Sequence, residues 1–428
     1  MDIIPISLPL DLPAPMWFLK FALITFFLVH ILFIAFMIGG TFMTVFFRML
    51  RKEDPFWSRM AREMGNTVTV NKSIAVVIGI APLLAISLVY TNFFYAANNI
   101  TAPLWLSIIW LVALAFISLY IYKYTWDSTK YSDRFKYFWG VLAFAIFMFV
   151  PLIFLSNINL MLYPDQWKNI YGFWQAIWAP NVLPRYLHFL NASVALTGFF
   201  TLVYFNFKLK DHHEDAAFYT RAKNLGAKWA MYATLLQLLF GFLNYVTLPV
   251  TADSPMVLYL IIVAIIVAGI AVYLLSLNLY AGKNIHPIII FFVILVVASI
   301  MGTLRHVVRE NALREPKKIM AMKTDLYRAQ LATFMKTYSP TGEVVVTGES
   351  VFQGVCMACH AIDHKVVGPP MQYAIDKYKN DRDAMIQFVN SPRKINPDFP
   401  IMPKPPISEK EIELVVDYLL NLEVGSNE

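Results

Sequence analysis

The chain has 428 residues, of which 58% are hydrophobic and only 15% charged, with a mean hydropathy of +0.56. That balance excludes a soluble globular domain and points to a polytopic membrane protein. The formal net charge of +7 fits Lys and Arg gathered in the loops on one side of a bilayer; nucleic acid is not an expected partner.

The N-terminal stretch carries two aspartates and no Lys or Arg before Lys20. A cleaved signal peptide needs a basic start and a small-residue cleavage site. The expectation is therefore a translocated tail followed by a retained helix. Eight apolar spans follow, near 16–47, 74–95, 103–124, 138–161, 185–207, 227–248, 256–280 and 287–306. Each is long enough to cross about 30 Å of hydrocarbon. The odd-numbered connections hold the cations. Arg48, Arg51, Lys52, Arg59, Arg62 and Lys72 follow the first span, and Lys123, Lys130, Arg134 and Lys136 the third. Lys208, Lys210, Arg221, Lys223 and Lys228 follow the fifth, and Lys283 the seventh. The even-numbered connections offer Lys168 and Arg185 alone. By the positive-inside rule the first set is cytoplasmic and both termini lie outside.

Composition changes after the eighth span. Residues 307–338 are charged, with Ile319, Met322, Leu326 and Ala329 at helical spacing. Ser339-Pro340-Thr341-Gly342 signals a turn. The expected division is a membrane domain over 1–306, a helical linker over 307–340 and a small soluble domain over 341–428.

That last domain holds Cys356-Met357-Ala358-Cys359-His360. Two thiols two residues apart can add to the two vinyl groups of one porphyrin, and the next imidazole falls under its iron. This is the pattern of one covalent haem c. The chain has only these two cysteines, so no structural disulfide competes for them. Haem c is attached outside an energy-conserving membrane, which agrees with the topology read from Lys and Arg. Val367-Gly368-Pro369-Pro370 supplies a stiff loop for the His360 side of the ring. Phe399-Pro400-Ile401-Met402-Pro403 precedes Ser408, a helix N-cap, and a final helix over 411–422. The order of these segments resembles a class I monohaem cytochrome c. The resemblance implies His360 and Met402 as the axial ligands, a pair that raises the potential. The rival methionine, Met371, follows too soon after His360 and on the wrong loop.

The membrane region holds His30 inside span one, His188 near the outer end of span five and His306 at the outer end of span eight. Imidazoles in a helical bundle are frequent haem b ligands, although a hydrogen bond between helices is the plainer alternative. Span one, VHILFIAFMIGGTFMTVFF, with the stretch FWSRMAREMGNTVTVNKSIAVVIGIAPLLAISLVY after it, resembles the opening of subunit I of cytochrome bd quinol oxidases. Span five, LPRYLHFLNASVALTGFFTLVYF, resembles that family's helix with the low-spin haem b histidine. The eight apolar spans make the expected fold an all-α, eight-helix transmembrane bundle, followed by a small α-helical domain. The resemblance implies His30 and His188 as haem b ligands, with Met256 as the partner of His188; His30 and His306 are the candidates for a second haem b iron, and the sequence leaves open whether they share one iron, serve two or do neither.

The departures from the family are specific. Its closing Glu-Tyr-Gly-Arg-Gln-type motif reads His306-Val307-Val308-Arg309-Glu310 here, with His306 at the carboxylate position. The long quinol-binding loop is reduced to 247–253, and no Asp or Glu lies inside the eight spans. The expected function is therefore electron relay. One or two haems b would exchange electrons with a quinone in the membrane, and haem c with a periplasmic redox protein or a larger respiratory complex. The alternatives are a terminal oxidase fed by haem c, and an anchor carrying haem c alone. Arg185, Arg305 and Trp178 are candidate quinone contacts. The expected setting is a bacterial cytoplasmic membrane, amid lipid and further membrane subunits.

Overall fold

The computed structural model describes residues 4–7, 12–50, 54–211, 213–283, 285–338 and 346–422; of 70–75, 211, 213 and 336–338 it describes the backbone alone. Arg51, Lys52, the side chain of Lys72 and the turn at 339–342 lie outside the described residues. Among the described residues there is no strand. The chain divides into two compact units, Met1–Asp325 and Leu326–Glu428.

The first unit is built from α1 (Met16–Met49), α2 (Pro55–Val89), α3 (Thr91–Ile100), α4 (Ala102–Tyr124), α5 (Asp133–Leu162), the short α6 (Phe173–Ala176), α7 (Val182–Asp211), α8 (Ala216–Val246), α9 (Pro255–Tyr280) and α10 (Pro287–Ala312). Helix α11 (Arg314–Tyr338) begins in this unit and carries Pro316 in its first turn. Among the described residues seven helices are long and apolar enough to cross a membrane, and counting the bent pair Val76–Val89 with Thr91–Ile100 as one span gives eight. In hydrocarbon every backbone N–H and C=O must be satisfied within the segment, so apolar runs of this length fold as helices.

Lipid gives apolar helices no hydrophobic reason to associate, so small residues bring them together. Helices α7 and α8 meet backbone to backbone: a Cβ on Gly198 would stand 2.5 Å from Ala230 N, and one on Gly226 would stand 2.7 Å from Gly198 O. Asn181 extends the same pair with its amide, 2.7 Å from Asn244 O.

Two expectations need correction. Span two is not one helix over 74–95. Helix α2 ends at Val89, and the chain bends by 110° into α3. The pivot is Tyr90, only 2% exposed, whose hydroxyl donates to Glu310 Oε1 at 2.5 Å. Asn92 donates to Ile6 O and Asn98 accepts from Asn157, so the polar side of α3 is bound rather than left in lipid. The eighth helix also runs past His306 to Ala312, which brings Arg309 and Glu310 into the same helix. Hydropathy falls at that end, so an apolar window stops short of it.

The second unit holds α12 (Gly348–Gly354), α13 (Met371–Tyr378), α14 (Arg382–Asn390) and α15 (Glu409–Leu420). Thr347 caps α12 and Ser408 caps α15, each in a reciprocal capping box. Any Cβ on Gly348 would collide with Leu414 O, so α12 crosses α15 in direct contact. Val351, Phe352, Met371, Ile375, Met385, Ile412, Val415, Val416 and Leu419 form the core around that crossing.

Candidate functional site

In the second unit Cys356 opens a 3-10 turn after α12, Cys356–Ala358, and Cys359 closes it as the C-cap. Both are half-buried and free of any disulfide. Burial raises the Cys356 thiol above its ordinary pKa. His360 N–H donates to Cys356 O at 3.0 Å, and Val367 and Gly368 donate to Cys359 O at 3.1 and 2.9 Å. The motif and the Gly-Pro loop are thereby stitched together. The His360 ring lies with Nδ1 2.9 Å from Pro369 O. With Nδ1 as donor there, Nε2 is left to bind a metal. Gly368 faces the flat of this ring, with a virtual Cβ only 2.8 Å from either nitrogen. Two unpaired thiols and an oriented imidazole fit a covalent haem c.

Met371 is 8% exposed and belongs to the core between α12 and α15. Met402 is half-buried on the extended segment before α15 and is free of the core. His364 is exposed beside Asp363. Lys365, Lys377, Lys379, Lys394 and Lys404 are all exposed.

In the first unit, packing fixes the relative depth of the three histidines. Leu28 of α1 lies against Gly302 of α10, and Gly39 of α1 against Ser193 and Thr197 of α7. Phe199 of α7 meets Phe291 of α10, with ring centroids 6.4 Å apart. At about 1.5 Å of rise per residue, His30 and His188 lie at nearly the same depth, on neighbouring helices. His306 lies about 6–9 Å nearer the end where α1 begins and α10 finishes. Each of the two deeper imidazoles faces a glycine. His30 Cε1 would stand 2.7 Å from a Cβ on Gly79 of α2, and His188 Cε1 3.7 Å from one on Gly241 of α8. Neither glycine stands out in the sequence; only the antiparallel pairing of α1 with α2, and of α7 with α8, reveals them.

His188 Nδ1 and His306 Nδ1 are buried without a hydrogen-bond partner. A buried polar atom left unmet is costly, and an imidazole in that state fits a metal-ligating role better than a helix-bridging one. Gln237 donates to His188 O at 2.9 Å and fixes the helix rather than the ring. These residues fit a haem b.

The other expected members of the set are placed less closely. Met256 is 48% exposed in the first turn of α9. That turn sits beside Asn311, whose amide donates to Ser254 Oγ at 3.0 Å. Met256 is thus displaced toward the end of the bundle from His188, and the two are not brought together. His286 caps α10, accepting from Ile288 N at 3.3 Å. Trp178 is 73% exposed, whereas Arg185 and Arg305 are half-buried, so the three do not share one surface.

Glu310 was not singled out in the sequence. Its carboxylate binds Lys20 of α1 at 3.2 Å, Lys317 of α11 at 3.1 Å and Tyr90. At the opposite end of the bundle Arg48 is 1% exposed, stacked 3.9 Å from the Trp126 ring with Asp133 3.9 Å away.

The family model described as cytochrome bd terminal oxidase subunit I matches residues 19–258, and the one described as cytochrome c matches residues 345–423. Among curated proteins, cytochrome c-551 of Pseudomonas denitrificans is 30% identical over 80 residues, 18% of this chain and 98% of that protein. Among solved structures, the bd oxidase from Geobacillus thermodenitrificans aligns with a TM-score of 0.57 at 14% identity, covering 74% of this chain and 96% of that one. At that identity the likeness is one of fold. Both resemblances read from the sequence stand.

Proposed function

The chain belongs to the cytochrome bd terminal oxidase subunit I family and ends in a cytochrome c domain; from that premise we propose that it relays electrons between a membrane quinone and a redox partner outside the membrane. It is a multi-pass membrane protein of respiratory electron transfer, and its two domains imply haem b and haem c. The finer assignments are the proposal. Cys356 and Cys359 hold one haem c covalently, with His360 and Met402 on its iron. His188 holds a haem b, and Met256, displaced from it toward the end of the bundle, is left out of that ligand set. His30 and His306 hold a second. Bound haem supplies a one-electron couple at each place.

The observation that carries the reading is the pair of buried, unpartnered ring nitrogens on His188 and His306, in a chain that continues into a Cys-x-x-Cys-His motif. Oxygen reduction needs an open iron and a buried acidic route for protons. Glu310 is engaged by two lysines and a tyrosine, and Glu63 by the Tyr204 hydroxyl at 3.0 Å. Neither is a free proton carrier. A nitrogen ligand at His306 favours a closed, electron-carrying iron. Both termini are assigned to the periplasmic side of a bacterial cytoplasmic membrane. There the five exposed lysines of the second unit would steer an acidic partner protein.

Pyridine haemochrome analysis of the purified protein is expected to give haem b together with haem c. His188→Ala is expected to remove haem b and leave haem c in place. Haem c alone would leave only an anchor. Carbon monoxide bound by the reduced protein, with oxygen uptake, would make it an oxidase instead.

A further inference from the structure

At the end of the bundle where α1 finishes, α2 and α8 both begin, and a cleft of about 700 Å³ opens between them. Phe56 and Trp57 of α2 supply aromatic surface, and Thr220, Arg221, Asn224 and Lys228 of α8 supply polar groups. Arg221 lies 4.0 Å over the Phe56 ring and reaches Asp54 through one nitrogen at 2.5 Å. Its charge is thereby compensated and its guanidinium fixed. Lys228 is exposed, and among the described residues it has no ion-pair or hydrogen-bond partner; the Thr220 and Asn224 side chains have none either. Other cations at this end are engaged: Arg59 pairs with Asp215, and Lys123 and Lys136 bond Thr69 Oγ1 and Ser128 O, each at 2.7 Å.

The cleft continues into an apolar stripe. Arg221, Lys228, Tyr232, Leu235 and Leu239 recur at helical spacing and share one face of α8. Tyr232, Leu235 and Leu239 are 55%, 44% and 53% exposed. The opposite face is committed to α7, where Gly226 and Ala230 approach its backbone, so the helix cannot turn this stripe inward. One turn below Lys228, the Tyr232 hydroxyl lies 2.9 Å from that of Tyr280 on α9. Along a single face the chain thus passes from cation to paired tyrosines to aliphatic side chains. Lys228 to Leu239 spans about 16 Å, close to half of a hydrocarbon core of about 30 Å.

We propose that this cleft binds one anionic phospholipid, with its phosphate at Lys228, Asn224 and Thr220 and its chains along Tyr232, Leu235 and Leu239. A bias of lysine and arginine toward one side of the membrane accounts for cations at this end. It does not account for a cleft lined by three unpartnered polar side chains that opens onto a leaflet-long apolar stripe. The charge selects the occupant. Arg221 is neutralised by Asp54, so Lys228 leaves one positive charge, and a phosphodiester carries one negative charge. The guanidinium N–H groups that Asp54 leaves free point to the same oxygens as added donors. Basic pockets between helices at headgroup level suit such lipids. The lipid would bridge α2 to α8, the two helices whose glycines face His30 and His188.

The test is native mass spectrometry of the delipidated full-length protein, titrated with phosphatidylglycerol or with phosphatidylcholine of the same chains. Wild type should hold one phosphatidylglycerol about fivefold more tightly than phosphatidylcholine, the worth of one cation at the headgroups. Lys228→Gln should bring the two lipids within about twofold of each other. Lys210→Gln, which removes a charge at the same end but outside the cleft, should keep the wild-type preference. Inorganic phosphate at millimolar concentration should leave the lipid bound. Equal affinity of wild type for the two lipids overturns the proposal. So does an equal loss in Lys210→Gln, which would reduce the preference to the general charge of that end. Displacement by inorganic phosphate overturns it in favour of a free-phosphate site. An altered number of chains in the Lys228→Gln complex, with lipid binding unchanged, overturns it in favour of a protein interface. Should Lys228→Gln fail to accumulate, Asn224→Ala, also at an exposed position, carries the same comparison.

Discussion

Gly368→Ala puts the His360 geometry under direct strain. A methyl group there would stand 2.8 Å from both ring nitrogens of His360 and closer still to Cε1. The backbone has little freedom to retreat, because Gly368 N–H is tied to Cys359 O at 2.9 Å. Relief must come from the ring, and turning it forfeits the 2.9 Å bond from Nδ1 to Pro369 O. Overpacking costs about 1–3 kcal/mol and the lost hydrogen bond about 1 kcal/mol more. The sum, about 2–4 kcal/mol, is one to three powers of ten in the equilibrium between ligated and displaced imidazole. Cys356 and Cys359 are untouched, so covalent haem content by denaturing pyridine haemochrome should stay near wild type. The native absorption spectrum should lose low-spin character, and the haem c midpoint should fall. A wild-type spectrum and midpoint at full haem content would refute the assignment of His360 as a ligand held by this loop.

Five further outcomes separate the remaining assignments. Met402→Ala should remove the low-spin haem c spectrum with little loss of folding. Met371→Ala should leave that spectrum and lower thermal stability by about 2–5 kcal/mol, the cost of a cavity in the core. Gly226→Leu forces α7 from α8 and should cut the yield of folded protein in detergent, with haem b lost in what survives; normal yield and haem content would refute the close crossing. Glu310→Gln strands Lys20 and Lys317, and should lower the thermal transition of the membrane unit by about 1–3 kcal/mol. Arg382 binds Asp417 at 2.5 Å and holds that carboxyl below its ordinary pKa. The stabilisation is complete above about pH 4 and fades as pH falls through the lowered value. Arg382→Ala should thus flatten the acid side of the stability profile; the effect is small because both side chains are largely exposed, and an unchanged profile would count against the pair.

What could be read from the sequence follows from the kind of signal each feature leaves. Apolar runs are summed over many residues, so most span ends were placed to within a few positions; the polar first turns of α2, from Pro55, and of α8, from Ala216, lie outside the apolar windows. Cys-x-x-Cys-His is local, and so is the Ser408 capping box, which fixes the last helix to within two residues. The bend at Tyr90 was not legible: the sequence stays apolar through it, and the partner of the Tyr90 hydroxyl is Glu310, 220 residues away. Gly79 and Gly241 escaped for the same reason, since each matters only through an imidazole on another helix. Met256 shows the opposite failure. A family pattern placed it in the right span, but a ligand must also lie at the right depth, and depth is set by how α9 packs beside Asn311.

Glu310 shows how a buried charge can serve geometry rather than proton transfer. The only carboxylate in α10 occupies the last turns of that helix, beside Arg309 and one turn beyond His306. It draws Lys20 from α1, Tyr90 from the kink between α2 and α3, and Lys317 from α11. Four elements are locked at one point, and none can slide along its axis without breaking a charged hydrogen bond. The N-terminal tail closes over the same end, with Ser7 N–H donating to Thr324 Oγ1 at 2.9 Å. Glu310 commits its oxygens to lysine and tyrosine, while Arg309 lies over the Tyr90 ring. The clamp therefore keeps His306 at a fixed depth. An acid that shuttled protons would have to leave these partners on every turnover, which would release the end of α10 each time. A conduit that only passes electrons has no such requirement, and a rigid α10 is what it would keep.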